Sequence, residues 1–349
     1  MRKCKLTFIC PSYNHEKYVL TFLNSLLNQT CPNWELLIFD DCSSDKTAEI
    51  IKSVKDGRIH FIQNPYNSGI NASINKGIEL CKSEILCLVA SDDVVDCKYV
   101  ETILKTFDEN ADISACYTPL TQINEKGRNL NKIMPLPIDK TQEEILAEMF
   151  INANLLYSPG MAFKKSVIYS FLPLDLGLLQ YHDWQINFFL LYAGKIKLLE
   201  TPLIRYRISN ESACSRSIPA IVREEIETKK LMDTIVNLIG LNKEVFLKYF
   251  GEHPLIKDNN IPCETIPFWL GRLALTSLYS SKQKWGLVTI MNFISVRENV
   301  ELLNKLYGFS YKDYVSYASL VHTNLIIQVK NIVKIILKKS KQKIKSIIN

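Results

Sequence analysis

Two pairs of adjacent carboxylates, Asp40-Asp41 and Asp92-Asp93, each stand at the end of a short apolar run, Glu35 to Phe39 and Ile85 to Val89. Carboxylates repel, so gathering four of them costs free energy unless a cation or hydrogen-bond donors are present. Oxygen ligands such as Asp92 and Asp93 suit Mg²⁺ or Mn²⁺, which bind through one or two carboxylates plus substrate phosphates. The substrate this implies carries a diphosphate. Asp41 could instead accept from the N3–H of a uracil ring or from ribose hydroxyls. The competing reading is purely local: Ser43, Ser44 and Asp45 are turn and cap residues expected before a helix over 45–54. A second acidic pair at a second strand end weighs against it.

The elements that must position these acids alternate. Leu6 to Cys10 reads as a strand, and Val19, Phe22, Leu23, Leu26 and Leu27 then mark one face of a helix. Strand Glu35 to Phe39, helix Asp45 to Val54, strand Ile59 to Gln63, helix Asn71 to Cys81, strand Ile85 to Val89, helix Cys97 to Phe107 and strand Ile113 to Thr118 continue the pattern. This predicts an α/β fold with a mostly parallel sheet flanked by helices. In such sheets ligands bind beyond the carboxyl ends of the strands. Pro11-Ser12-Tyr13-Asn14, Asp40 to Asp45 and Ser91-Asp92-Asp93 all fall there. Asn124 to Gly127 predicts a hairpin turn, Thr141 to Glu144 a capping box, Tyr157 to Lys164 a possible strand, Asp183 to Tyr192 a helix, and Ile196 to Leu199 and Leu203 to Tyr206 short strands. Beyond Ser217 the sequence turns helical, which places a boundary between domains at 1–215 and 216–323.

The 349 residues carry a net charge of +6, but seven lysines and no acid lie in Asn324 to Asn349, leaving −1 for the rest. A neutral body argues against nucleic acid as a partner. In the tail, 324–349, helical projection puts Val329, Ile332, Val333, Ile336 and Leu337 on one side and Lys330, Lys334, Lys338, Lys341 and Lys345 on another, a pattern suited to an anionic membrane surface. No run reaches the roughly 18 apolar residues of a membrane span. The expected location is cytoplasmic, peripheral on the inner face of the plasma membrane. The ten cysteines form no CxxC pair and are expected to be free thiols.

In this order and spacing, Pro11-Ser12-Tyr13-Asn14, Asp40-Asp41-Cys42-Ser43-Ser44-Asp45, Asn67-Ser68-Gly69 to Asn75-Lys76-Gly77, and Ala90-Ser91-Asp92-Asp93 resemble the family 2 glycosyltransferases. The resemblance covers roughly residues 3 to 210. It implies a GT-A fold followed by a smaller helical C-terminal region, an inverting transfer from a nucleotide-sugar donor, UDP-linked, to a hydroxyl of a cell-surface glycan or lipid-linked acceptor, and a divalent cation. By the same resemblance Pro11, Ser12, Tyr13 and Asp41 line the nucleoside pocket, Asp40 supports its strand end, and Asn75 sits near the diphosphate. Asp92 contacts ribose or diphosphate and Asp93 holds the metal. Ala90 stands where a leading Asp is frequent and Ser73 where an Arg is frequent, leaving phosphate neutralisation to the metal and to Lys76 or Arg207. Asp183 in Tyr181-His182-Asp183-Trp184 matches the general base. His182 is the alternative base, and Trp184 either stacks on a sugar or fills the core. Gly160 in Ser158-Pro159-Gly160-Met161 matches an acceptor-side segment. Arg205 to Ser209 resembles a Tyr-Arg-x-His element, with Ser209 in place of the His.

Two rival functions are weaker. A nucleotidyltransferase would need a Gly-rich basic loop after the first strand, and an NAD enzyme a GxGxxG turn; PSYNHEKY is neither. A non-catalytic sugar-binding or scaffold protein with the same fold is the alternative that Ala90 and Ser209 keep open.

Overall fold

A computed structural model describes residues 5–208, 220–310, 312–313 and 315–320. The first half alternates as its periodicity dictates: β1 (Leu6–Ser12), α1 (Val19–Leu27), β2 (Trp34–Asp40), α2 (Thr47–Ser53), β3 (Ile59–Gln63), α3 (Ile70–Leu80), β4 (Ile85–Leu88), β5 (Val94–Val95), α4 (Tyr99–Glu109) and β6 (Ile113–Tyr117). Then follow β7 (Leu120–Ile123), β8 (Asn129–Met134), α5 (Gln142–Ile151), β9 (Ala162–Lys164), α6 (Lys165–Ile168), α7 (His182–Ala193), β10 (Lys195–Leu198), β11 (Ile204–Arg207) and α8 (Ala220–Ile239).

Seven strands form one sheet in the order β10-β6-β9-β4-β1-β2-β3. β1 runs parallel to β2 and β4, β2 to β3, and β6 to β10, while β9 is antiparallel to both β4 and β6. The carboxyl ends of β1, β2, β4 and β6 and the amino end of β9 therefore share one edge. Leu6, Phe8 and Cys10 on one strand and Leu36 and Ile38 on the next are fully buried in the same cluster as Phe22, Leu23 and Leu26 of α1. Burying each such Leu, Ile or Phe stabilises by about 1.5–3 kcal/mol. A second sheet, β5-β11-β7-β8, stands beside the acidic tip that follows β4.

Local signals appear where the sequence places them. Asn124 N donates to Arg128 O and Gly127 N to Asn124 O, closing the β7–β8 hairpin. The capping box is reciprocal: Glu144 N donates to Thr141 Oγ1 (3.2 Å) and Thr141 N to Glu144 Oε2 (2.7 Å). The eight cysteines among the described residues are free.

The chain divides into two compact units, one of residues up to 149 with Ala153–Ile235, the other of Phe150–Asn152 with residues from Val236 onward. The expected boundary at 215–216, Ser209 and the whole 324–349 tail lie outside the described residues. The second unit is helical: α9 (Lys243–Phe250), α10 (Ile266–Leu275), α11 (Ser280–Ile294) and α12 (Arg297–Tyr307). α10 and α11 approach closely because Gly271 and Gly286 face each other; a Cβ on Gly286 would meet the Gly271 carbonyl. No helix among the described residues is long and apolar enough to cross a membrane.

Candidate active site

The exits of β1 and β2 are stitched together. Asp41 N donates to Ser12 O (2.8 Å), Asn14 N to Ser43 Oγ (2.9 Å), and Ser44 N to Asn14 Oδ1 (2.9 Å). His15 N donates to Thr47 Oγ1 and Glu16 N to Asp45 Oδ2. Two non-glycine residues here adopt left-handed backbone, Asn14 at φ 54° and Cys42 at φ 63°. Asn tolerates that region; Cys does so at a cost, and such strain concentrates where a fold serves a ligand.

The two acids of the first pair differ. Asp41 accepts from Asn64 Nδ2 (2.9 Å) and Ser68 N (2.8 Å) at Oδ1 and from Gly69 N (2.9 Å) at Oδ2, so it fixes the turn that opens α3. Asp40 is fully buried, takes Ser43 N at Oδ2 and leaves Oδ1 without a hydrogen bond. Pro11 is half-buried, Ser12 buried and Tyr13 exposed at the mouth.

At the end of β4 a polar chain crosses to β1. Ser91 Oγ donates to Ser12 Oγ (2.8 Å) and is hydrogen-bonded to His15 Nδ1 (2.7 Å), while His15 Nε2 faces Asp92 Oδ2 at 3.9 Å. Sequence reasoning passed over His15; its signal was its place directly after the first strand exit. The second acidic pair, in which Asp93 is expected to hold the metal and Asp92 to contact ribose or diphosphate, is asymmetric. Asp92 is part-exposed, whereas Asp93 is 2% exposed and accepts the backbone N–H of Arg207 at Oδ1 (2.8 Å). Burial, and then the charge of Asp92, hold the Asp93 carboxyl well above the usual range, against the pull of Arg207. Its Oδ2 is buried without a hydrogen bond.

Asp92 and the unpartnered Oδ2 of Asp93 are oxygen ligands of the kind a hard divalent ion takes, with the His15 imidazole nearby. Among the described residues no three His, Cys, Asp or Glu converge on a point, so such an ion would complete its shell from phosphate and water.

Arg207 does not serve as a free phosphate partner. It is 5% exposed, donates through Nε to Asp92 O (2.6 Å) and through one terminal nitrogen to Asn124 O and Glu125 O, and covers the Tyr18 ring at 4.6 Å. It is spent on holding the acidic tip against β11 and the hairpin. Asn75 is likewise occupied: its Oδ1 takes Leu174 N (2.8 Å) and its Nδ2 donates to Leu174 O (3.1 Å). Lys76 is exposed.

On the far side, Asp183 opens α7. Asn154 Nδ2 donates to Asp183 Oδ2 (3.2 Å), Asn187 Nδ2 to Asn154 Oδ1 (3.2 Å), and Tyr117 OH to Asn187 Oδ1 (3.0 Å). That chain ties Asp183 to the carboxyl end of β6. Burial pushes its pKa above the ordinary 3.8, with His182 pulling the other way. The charge of Asp183, after burial and Cys116, also raises the Tyr117 phenol. His182 turns its Nδ1 to Leu179 O (3.1 Å). Trp184, expected beside the acceptor or in the core, is in the core: it is 7% exposed and packs edge-to-face on Tyr181 with ring centres 5.0 Å apart.

Gly160 precedes β9 at the same edge. Its φ is +77°, and an added Cβ would run into Ile204 Cγ1 and lie 3.0 Å from Thr118 Cγ2. Its N–H donates to Leu88 O (2.9 Å) and its carbonyl accepts from Tyr99 OH (2.7 Å). Gly160→Ala combines strain and overpacking, and is expected to cost about 2–4 kcal/mol, read as a fall in urea midpoint with unchanged slope; an unchanged midpoint would show that the turn relaxes freely.

Thus Ser12, Asp41, His15, Asp92, Gly160 and Asp183 line the one edge where β1, β2, β4, β9 and β6 end. A family model described as glycosyl transferase family 2 matches residues 7–171. Over those residues the chain is similar to that family. It is 28% identical over 217 residues to an uncharacterized glycosyltransferase of Methanocaldococcus jannaschii, covering 60% of this chain and 73% of the relative. It is 29% identical over 221 residues to the putative glycosyltransferase EpsH of Bacillus subtilis, covering 60% and 63%. It is 30% identical over 148 residues to the putative teichuronic acid biosynthesis glycosyltransferase TuaG of the same organism, covering 42% and 58%. Among solved structures, residues 1–349 of S. aureus TarS in complex with UDP-GlcNAc superpose with a TM-score of 0.57 at 17% identity, over 92% of each chain. That likeness shows the fold, a GT-A-type sheet with a helical C-terminal region.

Proposed function

We propose that this glycosyltransferase is inverting and moves a sugar from a nucleotide-diphosphate donor, a UDP-sugar, to a hydroxyl of a cell-surface glycan or lipid-linked acceptor. The observation that carries the reading is the gathering of the strand-end acids and Asp183 along one sheet edge. TarS, solved with UDP-GlcNAc, supports the UDP part. TuaG, described as a teichuronic acid biosynthesis enzyme, supports a cell-surface glycan.

In this reading the Ser12–Asn14 and Asp41–Ser44 loops frame the nucleoside and Asp92 offers its carboxylate beside the diphosphate. From β4 across β9 to β6 is two strand spacings, about 10 Å, which leaves room for a sugar between Asp92 and Asp183. Asp183 then takes the proton of an acceptor hydroxyl approaching the anomeric carbon from the face opposite the leaving nucleotide. Asp92, with Asp93 and His15 nearby, would hold Mg²⁺ or Mn²⁺, which when bound would offset charge on the departing diphosphate. The basic tail, 324–349, lies outside the described residues; its proposed role is to hold the enzyme on an anionic membrane.

Thermal shift with UDP-, GDP- and dTDP-sugars, with and without Mn²⁺, tests the donor. A ligand at 100 times its Kd stabilises by about 2.7 kcal/mol, roughly 5–10 °C for a unit of this size. UDP-sugars are expected to give that shift, larger with Mn²⁺; a shift only with GDP- or dTDP-sugars would refute the UDP reading.

A further inference from the structure

Residues 172–181 run into α7 and so decide where Asp183 stands. This irregular segment is gripped from two helices. From α3, Asn71 Nδ2 donates to Asp175 O (2.6 Å) and Asn75 pairs with both backbone groups of Leu174. From α8, Lys230 Nζ reaches both Asp175 carboxylate oxygens (2.8 and 2.9 Å), and Glu227 Oε2 accepts Gln180 N (2.7 Å) and Tyr181 N (2.9 Å).

The Glu227 contact is unusual in cost and in place. α7 has no capping bond from the side chain that precedes it, so an acid 46 residues further along the chain takes the backbone N–H groups at its entrance. Glu227 is 1% exposed, and its Oε1 is buried without a hydrogen bond. A buried carboxylate with an oxygen left over is a poor device for stability alone, since an apolar residue of similar size commonly does as well. Both bonds it does make go to the two residues that lead to His182 and Asp183.

We propose that Glu227 is a positioning residue for the transfer: by holding the N–H groups of Gln180 and Tyr181 it fixes the start of α7 and so presents Asp183 to the acceptor hydroxyl. The inference rests on the reading of Asp183 as the general base. It acts through geometry, because displacing a reacting group by about 1 Å can cost as much as 100-fold.

The test uses the full chain and the variants E227A, E227Q, D183N and E227A/D183N. Three quantities are read: UDP release from UDP-GlcNAc without acceptor, UDP affinity by calorimetry, and hydrogen–deuterium exchange of the peptide spanning 173–190. In E227A, UDP release is expected to fall at least about ten-fold while UDP affinity stays within about two-fold. Exchange in the peptide is expected to accelerate while β1 and β2 stay protected. E227Q, which keeps an accepting oxygen, recovers most of the turnover. In the D183N background, E227A adds no further loss, since it acts only through that acid. Where E227A does not fold, E227Q carries the same comparison with a smaller loss. Unchanged exchange in the variant overturns the proposal, as does unchanged turnover beside an inactive D183N, or a further ten-fold fall on top of D183N. Full turnover in D183N overturns the base reading instead, and is seen separately.

Discussion

Asp183→Asn is expected to lower turnover by about 10²–10⁴-fold, the range a positioned general base supplies, while donor affinity stays within about two-fold. Asn keeps the size of the side chain and an oxygen to accept from Asn154 Nδ2, so the chain through Asn187 to Tyr117 survives and folding is not at issue. What is lost is the ability to take a proton. The pH profile gives the same test a second readout. Burial raises the Asp183 pKa, so the base is protonated below that raised value and ionised above it. Turnover of the wild type therefore falls as pH drops through a pKa above 3.8, and that acid limb disappears in D183N. An activity that survives D183N with its acid limb intact would move the base elsewhere, with His182 the first alternative.

The framework around this site was legible because its signals are local. Strands covered on both faces, such as Ile85 to Leu88, read as unbroken apolar runs, and amphipathic α1 shows its buried face in Val19, Phe22, Leu23 and Leu26. The capping box at Thr141 and the hairpin at Asn124 are contained within a few residues. What stayed hidden is non-local. Three-residue β9 enters the sheet backwards between β4 and β6, and two-residue β5 exists only by pairing with β11. The possible strand expected over 157–164 is β9, but no periodicity gives its antiparallel direction or announces a strand as short as β5. The roles of Arg207, Asn75 and Glu227 were hidden for a related reason: each is spent on backbone groups of a distant segment, and backbone N–H and C=O groups are the same at every position of the sequence. The acidic pair at Asp92-Asp93 was visible as chemistry, but which acid faces solvent depends on β11 arriving to donate Arg207 N to Asp93.

That last contact sets apart the two acids in the remaining prediction. Asp92→Asn is expected to weaken Mn²⁺ binding in the presence of UDP by at least about ten-fold, the scale on which metal sites respond to lost partners, and to cut turnover by about 10²–10³-fold through lost charge stabilisation. Asp93→Asn keeps an oxygen for Arg207 N and relieves the repulsion that holds the Asp93 carboxyl above its ordinary range, so the tip retains its shape. Its effect on ion affinity is expected to be several-fold smaller than that of Asp92→Asn. Titration of Mn²⁺ followed by electron paramagnetic resonance separates binding from turnover. It also reads the imidazole: His15 Nε2 stands 3.9 Å from Asp92 Oδ2 with its ring oriented by Ser91 and Ser12, as metal-bound histidines are oriented by partners behind them. A reversed order, with Asp93→Asn abolishing ion binding and Asp92→Asn sparing it, would place the cation on the buried acid and require β11 to withdraw before the donor binds.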